Sequence, residues 1–186
     1  MYDLDSLVEI PDERFLRSFG VNLFGMYRAN RLFMPLLADG GPIFIVTSEL
    51  GPLRPLPFTG LYVITKGAVE KYAYSLRMEL ELLNHPVIVV RPGAVDTGMM
   101  SESIRCLDCF CENTALYRFN TRCFRSVVGR VEARRIQPET VASIINQALD
   151  SKHPHLSYSL NRSPLLALFN LLPDRAQLFA IKNVIS

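Results

Sequence analysis

Two short apolar runs on either side of one long helical segment restrict the fold of this chain more than any other feature. Residues 43–47 form a continuous β-branched and aromatic run, and residues 87–90 form a second. Between them, apolar residues recur at helical spacing over residues 60–83, and Asn84 and Pro86 end the helix. A strand, a helix and a strand in this order predict a right-handed crossover with parallel pairing and strands buried on both faces. The predicted fold class is therefore α/β.

Helix and strand signals also occur outside this central unit. A first helix is predicted over residues 11–38, because a proline and two acids open it and two glycines follow it. Residues 138–149 predict another helix, residues 156–160 a short third strand, and residues 164–184 an apolar C-terminal helix. Residues 98–136 are rich in Met, Cys, Phe and Arg, and we expect them to be irregular and to form a lid over the substrate.

The composition is that of one globular domain, or a large part of one. Hydrophobic residues make up 49% of the 186 residues and charged residues 20%, which is enough apolar material for a core. The net charge of +2 favours neither nucleic acid nor a strongly acidic partner. Six arginines fall within residues 118–135, and we interpret them as a solvated face; phosphate or lipid headgroup contact is the alternative.

No leader-like segment opens the chain, and its apolar stretches are too short to span a bilayer, so a cytoplasmic location is the default expectation. The four cysteines cluster at positions 106, 109, 111 and 123, a spacing that zinc sites also use. No second Cys pair or suitably placed His completes such a site. We therefore interpret them as reduced thiols in an apolar flap and expect no metal.

Polar residues follow both predicted strands of the central unit. Ser48 comes directly after the first strand, and Arg91, Pro92 and Gly93 come at the end of the second. The carboxyl ends of parallel strands are where open α/β sheets bind their ligands. These segments are therefore expected to converge on one crevice.

Tyr62 and Lys66 lie in the first two turns of the intervening helix and open onto the same crevice. Because they are four residues apart, their side chains share one helix face. An ammonium held beside a phenol stabilises the phenolate and lowers a pKa that is otherwise about 10. Tyr62 is thus a candidate for proton transfer at neutral pH, although both residues could also be merely solvated.

The chain resembles the short-chain dehydrogenase/reductase family over most of its length, from about Ile10 to Leu160. The resemblance implies one partial NAD(P)-binding domain over residues 1–186, namely the C-terminal two-thirds of a doubly wound, Rossmann-type parallel sheet with flanking helices. The matching segments, in the family's order, are residues 21–25, 45–51, 62–66 and 91–97.

The resemblance also implies catalytic roles. Tyr62 would be the general acid and base, and Ser48 would hydrogen-bond the reacting substrate oxygen. Lys66 would lower the pKa of Tyr62 and hold the nicotinamide ribose. Asn22 would interrupt its helix and hold a water that continues the proton relay. Asn22 on a helix face and Ser48 as a turn former are the ordinary alternatives.

The cofactor implied by the resemblance is NAD or NADP, without a choice between them. Tyr62 and Lys66 would contact it, and the backbone at Pro92, Gly93 and Val95 with the Thr97 hydroxyl would hold the carboxamide. For Thr97 a helix cap is the alternative.

The family's first strands and glycine-rich turn, which cradle the cofactor pyrophosphate, have no counterpart in this sequence. We therefore expect a fragment of an ordinary enzyme, with residues 43–47 as an open sheet edge and little dinucleotide affinity of its own. The alternative is a non-catalytic scaffold or dimerisation partner. The DNA upstream of the first codon would distinguish the two.

The substrate implied is a hydrophobic alcohol or carbonyl compound, because residues 153–158 and 171–175 resemble the retinol- and steroid-type branch. The resemblance also implies a homo-oligomer for the full-length protein, formed through the long helices at about 12–38 and 60–83. The C-terminal helix could rest on a membrane surface, but packing on the core or a partner subunit is favoured.

Metal analysis tests the interpretation of the cysteine cluster. Protein purified without chelators should carry far less than stoichiometric zinc, and chelator should leave its unfolding transition unchanged. Stoichiometric zinc that is lost together with the fold on chelation would contradict the interpretation.

Overall fold

The two apolar runs of the central unit become neighbouring parallel strands. In the computed structural model, which describes residues 2–131 and 133–185, three strands pair in the order β1–β2–β3, and both pairs are parallel. The strands are β1 (Ile43–Val46), β2 (Val87–Pro92) and β3 (Ser157–Leu160). The helices are α1 (Asp12–Phe19), α2 (Gly25–Phe33), α3 (Gly60–Leu80), α4 (Gly98–Asn113), α5 (Thr121–Val131), α6 (Pro138–Asp150), α7 (Pro164–Leu171) and α8 (Asp174–Ile185).

The predicted strand–helix–strand unit is confirmed. Ile43 pairs with Val87 and Val46 with Val90, so β1 and β2 run in register along the whole of β1. One side of α3 packs on both strands and on α2. A short 3₁₀ turn follows α3, and Asn84 then takes a left-handed conformation (φ 58°), which asparagine tolerates better than most residues. The core cluster is Ile45, Val69, Ala73, Leu80, Val87 and Val89.

Burial of β1 on both faces is wrong, although β2 is buried as expected. Ile45 is 2% exposed against α3, whereas the next residue, Val46, is 47% exposed. Successive side chains of a strand point to opposite faces. Val46 points to the face that carries a cavity, and β1 lies at an edge of the three-stranded sheet, so that face has less cover.

The first helix is not continuous to Ala38. A wider, π-helical turn over Gly20–Phe24 separates α1 from α2, and a 3₁₀ turn over Met34–Leu36 ends the segment. Pro35 lies in that last turn, where it has no N–H to continue the helix. The expected interruption at Asn22 is confirmed, because Asn22 lies in the π-helical turn.

Residues 98–136 are not irregular, and the prediction is wrong there. They form α4 and α5, whose buried side chains build a second core with Leu4 of the N-terminal segment and Ile185 of α8. The buried positions of α4 recur three or four residues apart, the spacing of one helix face. They are Met100, Ser103, Leu107 and Phe110.

The single C-terminal helix is also wrong in part. The chain forms α7 and α8, and Pro173 lies between them, where it starts a new helix instead of continuing the old one. Leu166 is buried as expected for the apolar side. Leu178, expected on the same apolar side, is 70% exposed.

Truncation of the two adjacent side chains of β1 tests their assignment to opposite faces. Ile45→Ala should lower the free energy of unfolding by about 2–5 kcal/mol, since it leaves a cavity in the core. Val46→Ala should cost less than about 1 kcal/mol. Chemical denaturation measures both. Equal losses would contradict the register of β1.

Candidate functional site

A cavity lies at the carboxyl ends of β1 and β2 and at the start of α3. Its volume is about 460 Å³, and it is lined by all of the segments that were predicted to converge on the crevice. Asn22, the other predicted catalytic residue, does not line it. The wall also includes parts of α4 and α6. The polar part of the lining is Tyr2, Thr47, Ser48, Glu49, Tyr62, Lys66 and Thr97, and the apolar part includes Val46, Met99, Met100, Val141 and Ile145.

Ser48 and Tyr62 are both buried, and the Ser48 hydroxyl lies near enough to the phenol to favour the phenolate of Tyr62. Ser48 lies two residues beyond β1, where its Oγ accepts from the Leu50 backbone N–H at 3.2 Å. Tyr62 lies in the first turn of α3. Tyr2 packs edge-on against the Tyr62 ring, with 4.4 Å between ring centroids and 73° between planes. The Leu50 N–H thus orients the Ser48 side chain, and the Tyr2 ring restricts the Tyr62 ring.

The pKa of Tyr62 lies above its usual value of 10. Burial is the main cause, because it disfavours the phenolate, and the nearby Glu49 carboxylate acts in the same direction. The nearby Ser48 hydroxyl opposes both. The lowered pKa expected from the Tyr62 and Lys66 spacing is therefore not found in this environment, and the buried phenol is neutral at pH 7.

Lys66 lies beside the Tyr62 ring. Its Nζ is 5.8 Å from the ring centroid and donates a long hydrogen bond, 3.5 Å, to the Val46 carbonyl oxygen. Burial lowers the pKa of Lys66, and the Glu70 carboxylate one turn further along α3 opposes this. The expected neighbourhood of Tyr62 and Lys66 is present, with the cation against the aromatic ring.

Asn22 reaches the site through α3. Its Nδ2 donates to the Thr65 Oγ1 at 3.0 Å, and the Thr65 hydroxyl donates to the Tyr62 carbonyl oxygen at 2.8 Å. The π-helical turn is thus connected to the backbone directly behind Tyr62. The catalytic role given to Asn22 stays a prediction.

The four predicted carboxamide-binding residues line the cavity. Gly93 has a structural reason of its own, since a Cβ there would lie 2.2 Å from the Asn161 carbonyl oxygen. Val95 forms a parallel bridge with Ile136, which joins the two ends of the α4–α5 segment. Thr97 precedes α4 in extended conformation, and among the described residues its side chain makes no capping bond to that helix.

Two acids at the site were missed by the sequence analysis. Glu49 is buried beside Ser48, and its Oε2 accepts from the Ser163 backbone N–H at 2.7 Å. Burial raises the pKa of Glu49. Glu70 binds Thr47 and Arg91. Its position four residues after Lys66 was a readable signal of contact on the helix face, whereas nothing near Glu49 in sequence indicates its burial.

No helix in residues 2–131 and 133–185 is both long enough and apolar enough to cross a membrane. In the same residues no group of three or more His, Cys, Asp or Glu side chains is arranged to hold a metal ion.

Comparison with known proteins identifies what the chain is similar to. A family model described as short chain dehydrogenase matches residues 2–106. The uncharacterized oxidoreductase YusZ of Bacillus subtilis is 26% identical over 162 residues, which is 86% of this chain and 58% of that protein. Retinol dehydrogenase 16 of Mus musculus is 34% identical over 93 residues, covering 50% of this chain and 29% of that protein.

A solved structure has the same fold. It is the alcohol dehydrogenase of the archaeon Thermococcus sibiricus in complex with 5-hydroxy-NADP, with a TM-score of 0.66 and 22% identity. The match covers 88% of this chain and 61% of that one. The chain therefore spans about three-fifths of the length of the Bacillus and Thermococcus proteins.

The contact between Ser48 and Tyr62 can be tested without any ligand. Ser48→Ala should raise the pKa of Tyr62 further, because it removes the contact that favours the phenolate. NMR titration of ¹³C-labelled tyrosine measures this, with Tyr62→Phe to assign the signal and Tyr74→Phe as a control on the same helix. An unchanged or lower pKa would show that the hydroxyls do not interact in solution.

Proposed function

Because the chain belongs to the short-chain dehydrogenase family, we propose that it carries the reaction centre of an NAD(P)-dependent oxidoreductase of the cytoplasm that interconverts an alcohol and a ketone or aldehyde. The observation that supports this most is that Ser48 and Tyr62 are both buried in the wall of one cavity, with Lys66 beside the Tyr62 ring. Ser48 follows β1, whereas Tyr62 and Lys66 lie in the first two turns of α3, and all three line the same cavity.

The residues around the cavity fit the nicotinamide end of a dinucleotide. The apolar side chains would face the flat ring, and the donors of Lys66 and Thr97 suit ribose hydroxyls and a carboxamide. Nicotinamide, when bound, supplies or accepts the hydride. Both NAD and NADP are included in the proposal, since these residues contact the end that the two cofactors share.

In the proposed reduction, Tyr62 gives its proton to the carbonyl oxygen of the substrate. The raised pKa keeps the phenol protonated at neutral pH, so the group is ready to donate. Ser48 donates a hydrogen bond to the same oxygen and fixes its position. In the reverse direction the Tyr62 phenolate would take the alcohol proton, and the Lys66 ammonium beside the ring would stabilise it.

The proposed substrate is hydrophobic. Methionine, valine and isoleucine side chains of β1, α4 and α6 form most of the cavity wall away from the polar group. The similarity to mouse retinol dehydrogenase 16 supports the same class. The α4–α5 segment contributes Met99 and Met100 to this wall, which is consistent with the proposed lid.

A second candidate function is that of a non-catalytic association partner. Apolar side chains on α2 and α3 and in the turn after α3 are more than half exposed, which is typical of surfaces that bind another subunit. They are Leu32, Phe33, Tyr74, Met78 and Leu82. The same faces would form the interface of a homo-oligomeric enzyme, so association alone does not separate the two functions.

Replacement of the proposed acid separates them. In the full-length gene product, Tyr62→Phe should lower kcat by about 10²–10⁴-fold with hydrophobic ketones and aldehydes, measured with NADH and with NADPH. Tyr74→Phe keeps the apolar ring of the exposed face and lies outside the cavity lining, so it should leave kcat unchanged. A Tyr62→Phe protein that keeps more than about a tenth of the parental kcat would contradict the acid–base role. A parent that associates but neither binds a dinucleotide nor turns over would favour the partner function.

A further inference from the structure

Glu70 of α3 is hydrogen-bonded to Thr47, the residue that follows β1, and to Arg91 near the end of β2. The Oε1 atom of Glu70 accepts from the Thr47 hydroxyl at 2.6 Å and from Arg91 Nε at 2.8 Å. Its Oε2 accepts from Arg91 Nη2 at 2.7 Å, so the guanidinium is bound by both oxygens. The Glu70 and Arg91 side chains are only 13% and 25% exposed. Two-point binding of this kind fixes the orientation of both partners.

Each partner of Glu70 immediately precedes a segment of the proposed site. Thr47 is followed by Ser48, and Arg91 is followed by Pro92 and Gly93. Glu70 itself lies one turn beyond Lys66 and two turns beyond Tyr62 on α3. Backbone hydrogen bonds also join β2 to the residues that follow β1. The Thr47 N–H donates to the Val90 carbonyl at 2.8 Å, and the Glu49 N–H donates to the Pro92 carbonyl at 2.9 Å.

The turn after Ser48 also rests on Glu70. A Cβ at Gly51 would lie 3.0 Å from Glu70 Cγ and 3.3 Å from the Ser48 carbonyl oxygen. The turn that contains Ser48 and Gly51 therefore lies close to the Glu70 side chain, and a larger side chain at position 51 would push the turn away from Glu70.

We propose that Glu70 is a positioning residue, which clamps the carboxyl ends of β1 and β2 to α3 and thereby sets Ser48 and the Pro92–Val95 backbone relative to Tyr62. This rests on the proposed function. The clamp is made of Glu70, Arg91 and Thr47. Displacements of about 1 Å at a reacting pair reduce rates about 10²-fold, so such a clamp acts on turnover and not only on the fold.

The clamp is stabilised by the opposite charges of Glu70 and Arg91. Burial by itself would raise the pKa of Glu70, but the hydrogen bonds from Arg91 and Thr47 outweigh burial and lower it. Glu70 is thus a carboxylate at neutral pH, with Arg91 as its counter-ion. Replacement of a partly buried ion pair by apolar groups is often neutral for stability, whereas removal of one partner is not.

A second tether of α3 provides a matched control. Near the other end of the helix, Arg77 Nε donates to the Val87 carbonyl at 2.9 Å and its Nη2 to the Leu156 carbonyl at 2.8 Å. These carbonyls lie at the start of β2 and just before β3, away from the cavity. Loss of Arg77 should therefore weaken the attachment of α3 without moving the site.

Three variants test the proposal in the full-length protein: Glu70→Gln, Arg77→Gln, and Glu70→Gln combined with Arg91→Met. Glu70→Gln should lower kcat by about 10–100-fold, with KM changed less than about 3-fold, and should lower Tm. Arg77→Gln should lower Tm while kcat stays within about 3-fold of the parent. The double variant removes the unpaired guanidinium, so Tm should recover while kcat does not.

Hydrogen exchange supplies a readout that needs no turnover. Exchange of the Glu49 and Gly93 amides should quicken in Glu70→Gln and in the double variant, but not in Arg77→Gln. Recovery of kcat together with Tm in the double variant would overturn the proposal, as would equal exchange at these amides in Glu70→Gln and Arg77→Gln. If the parent shows no turnover but these amides exchange faster in Glu70→Gln than in the parent, the clamp would be supported and only the proposed function contradicted.

Discussion

Parallel pairing of β1 with β2 is the constraint on which the rest of this structure depends. Because β1 and β2 run in the same direction, α3 begins at the edge at which β1 ends and returns the chain to the edge at which β1 begins, so that β2 ends beside the end of β1. Ser48, the first turns of α3 and Pro92 therefore meet at one cavity, although more than forty residues separate Ser48 from Pro92. The apolar side of α3, packed on both strands, keeps that geometry.

The convergence of the site could be predicted from sequence for this reason. The strand runs and the helix between them are strong local signals, and parallel topology converts their order into proximity. Position along the chain was thus enough to bring Ser48, Tyr62 and Lys66 to the same crevice. A short third strand over residues 156–160 was predicted from the same kind of local pattern, and the structure has it at Ser157–Leu160, parallel to β2.

The electrostatics of the site could not be predicted in the same way. The Tyr62 pKa depends on burial, and part of that burial comes from Tyr2, sixty residues earlier in the chain. The Glu49 carboxylate, which acts in the same direction, is buried against the backbone of Ser163. Sequence spacing predicted that Lys66 lies near Tyr62, because both are on the same helix. It could not predict that Tyr2 and Glu49, which belong to other segments, also lie near Tyr62. In α4, a buried Ser103 interrupts the apolar side, so the helical spacing of that segment is hard to recognise in the sequence.

The π-helical turn at Gly20–Phe24 has a consequence for the two helices that it joins. Each residue of an α-helix advances the side chains by about 100°, so one additional residue in a turn rotates everything beyond it by that amount. Before the turn, the Ser18 hydroxyl donates to Asp3 of the N-terminal segment. After it, Asn30 donates to the Tyr72 hydroxyl of α3 at 3.1 Å. The extra residue rotates the face of α2 relative to that of α1. Deletion of one residue there would restore a regular α-helix and leave only one of these two faces in contact.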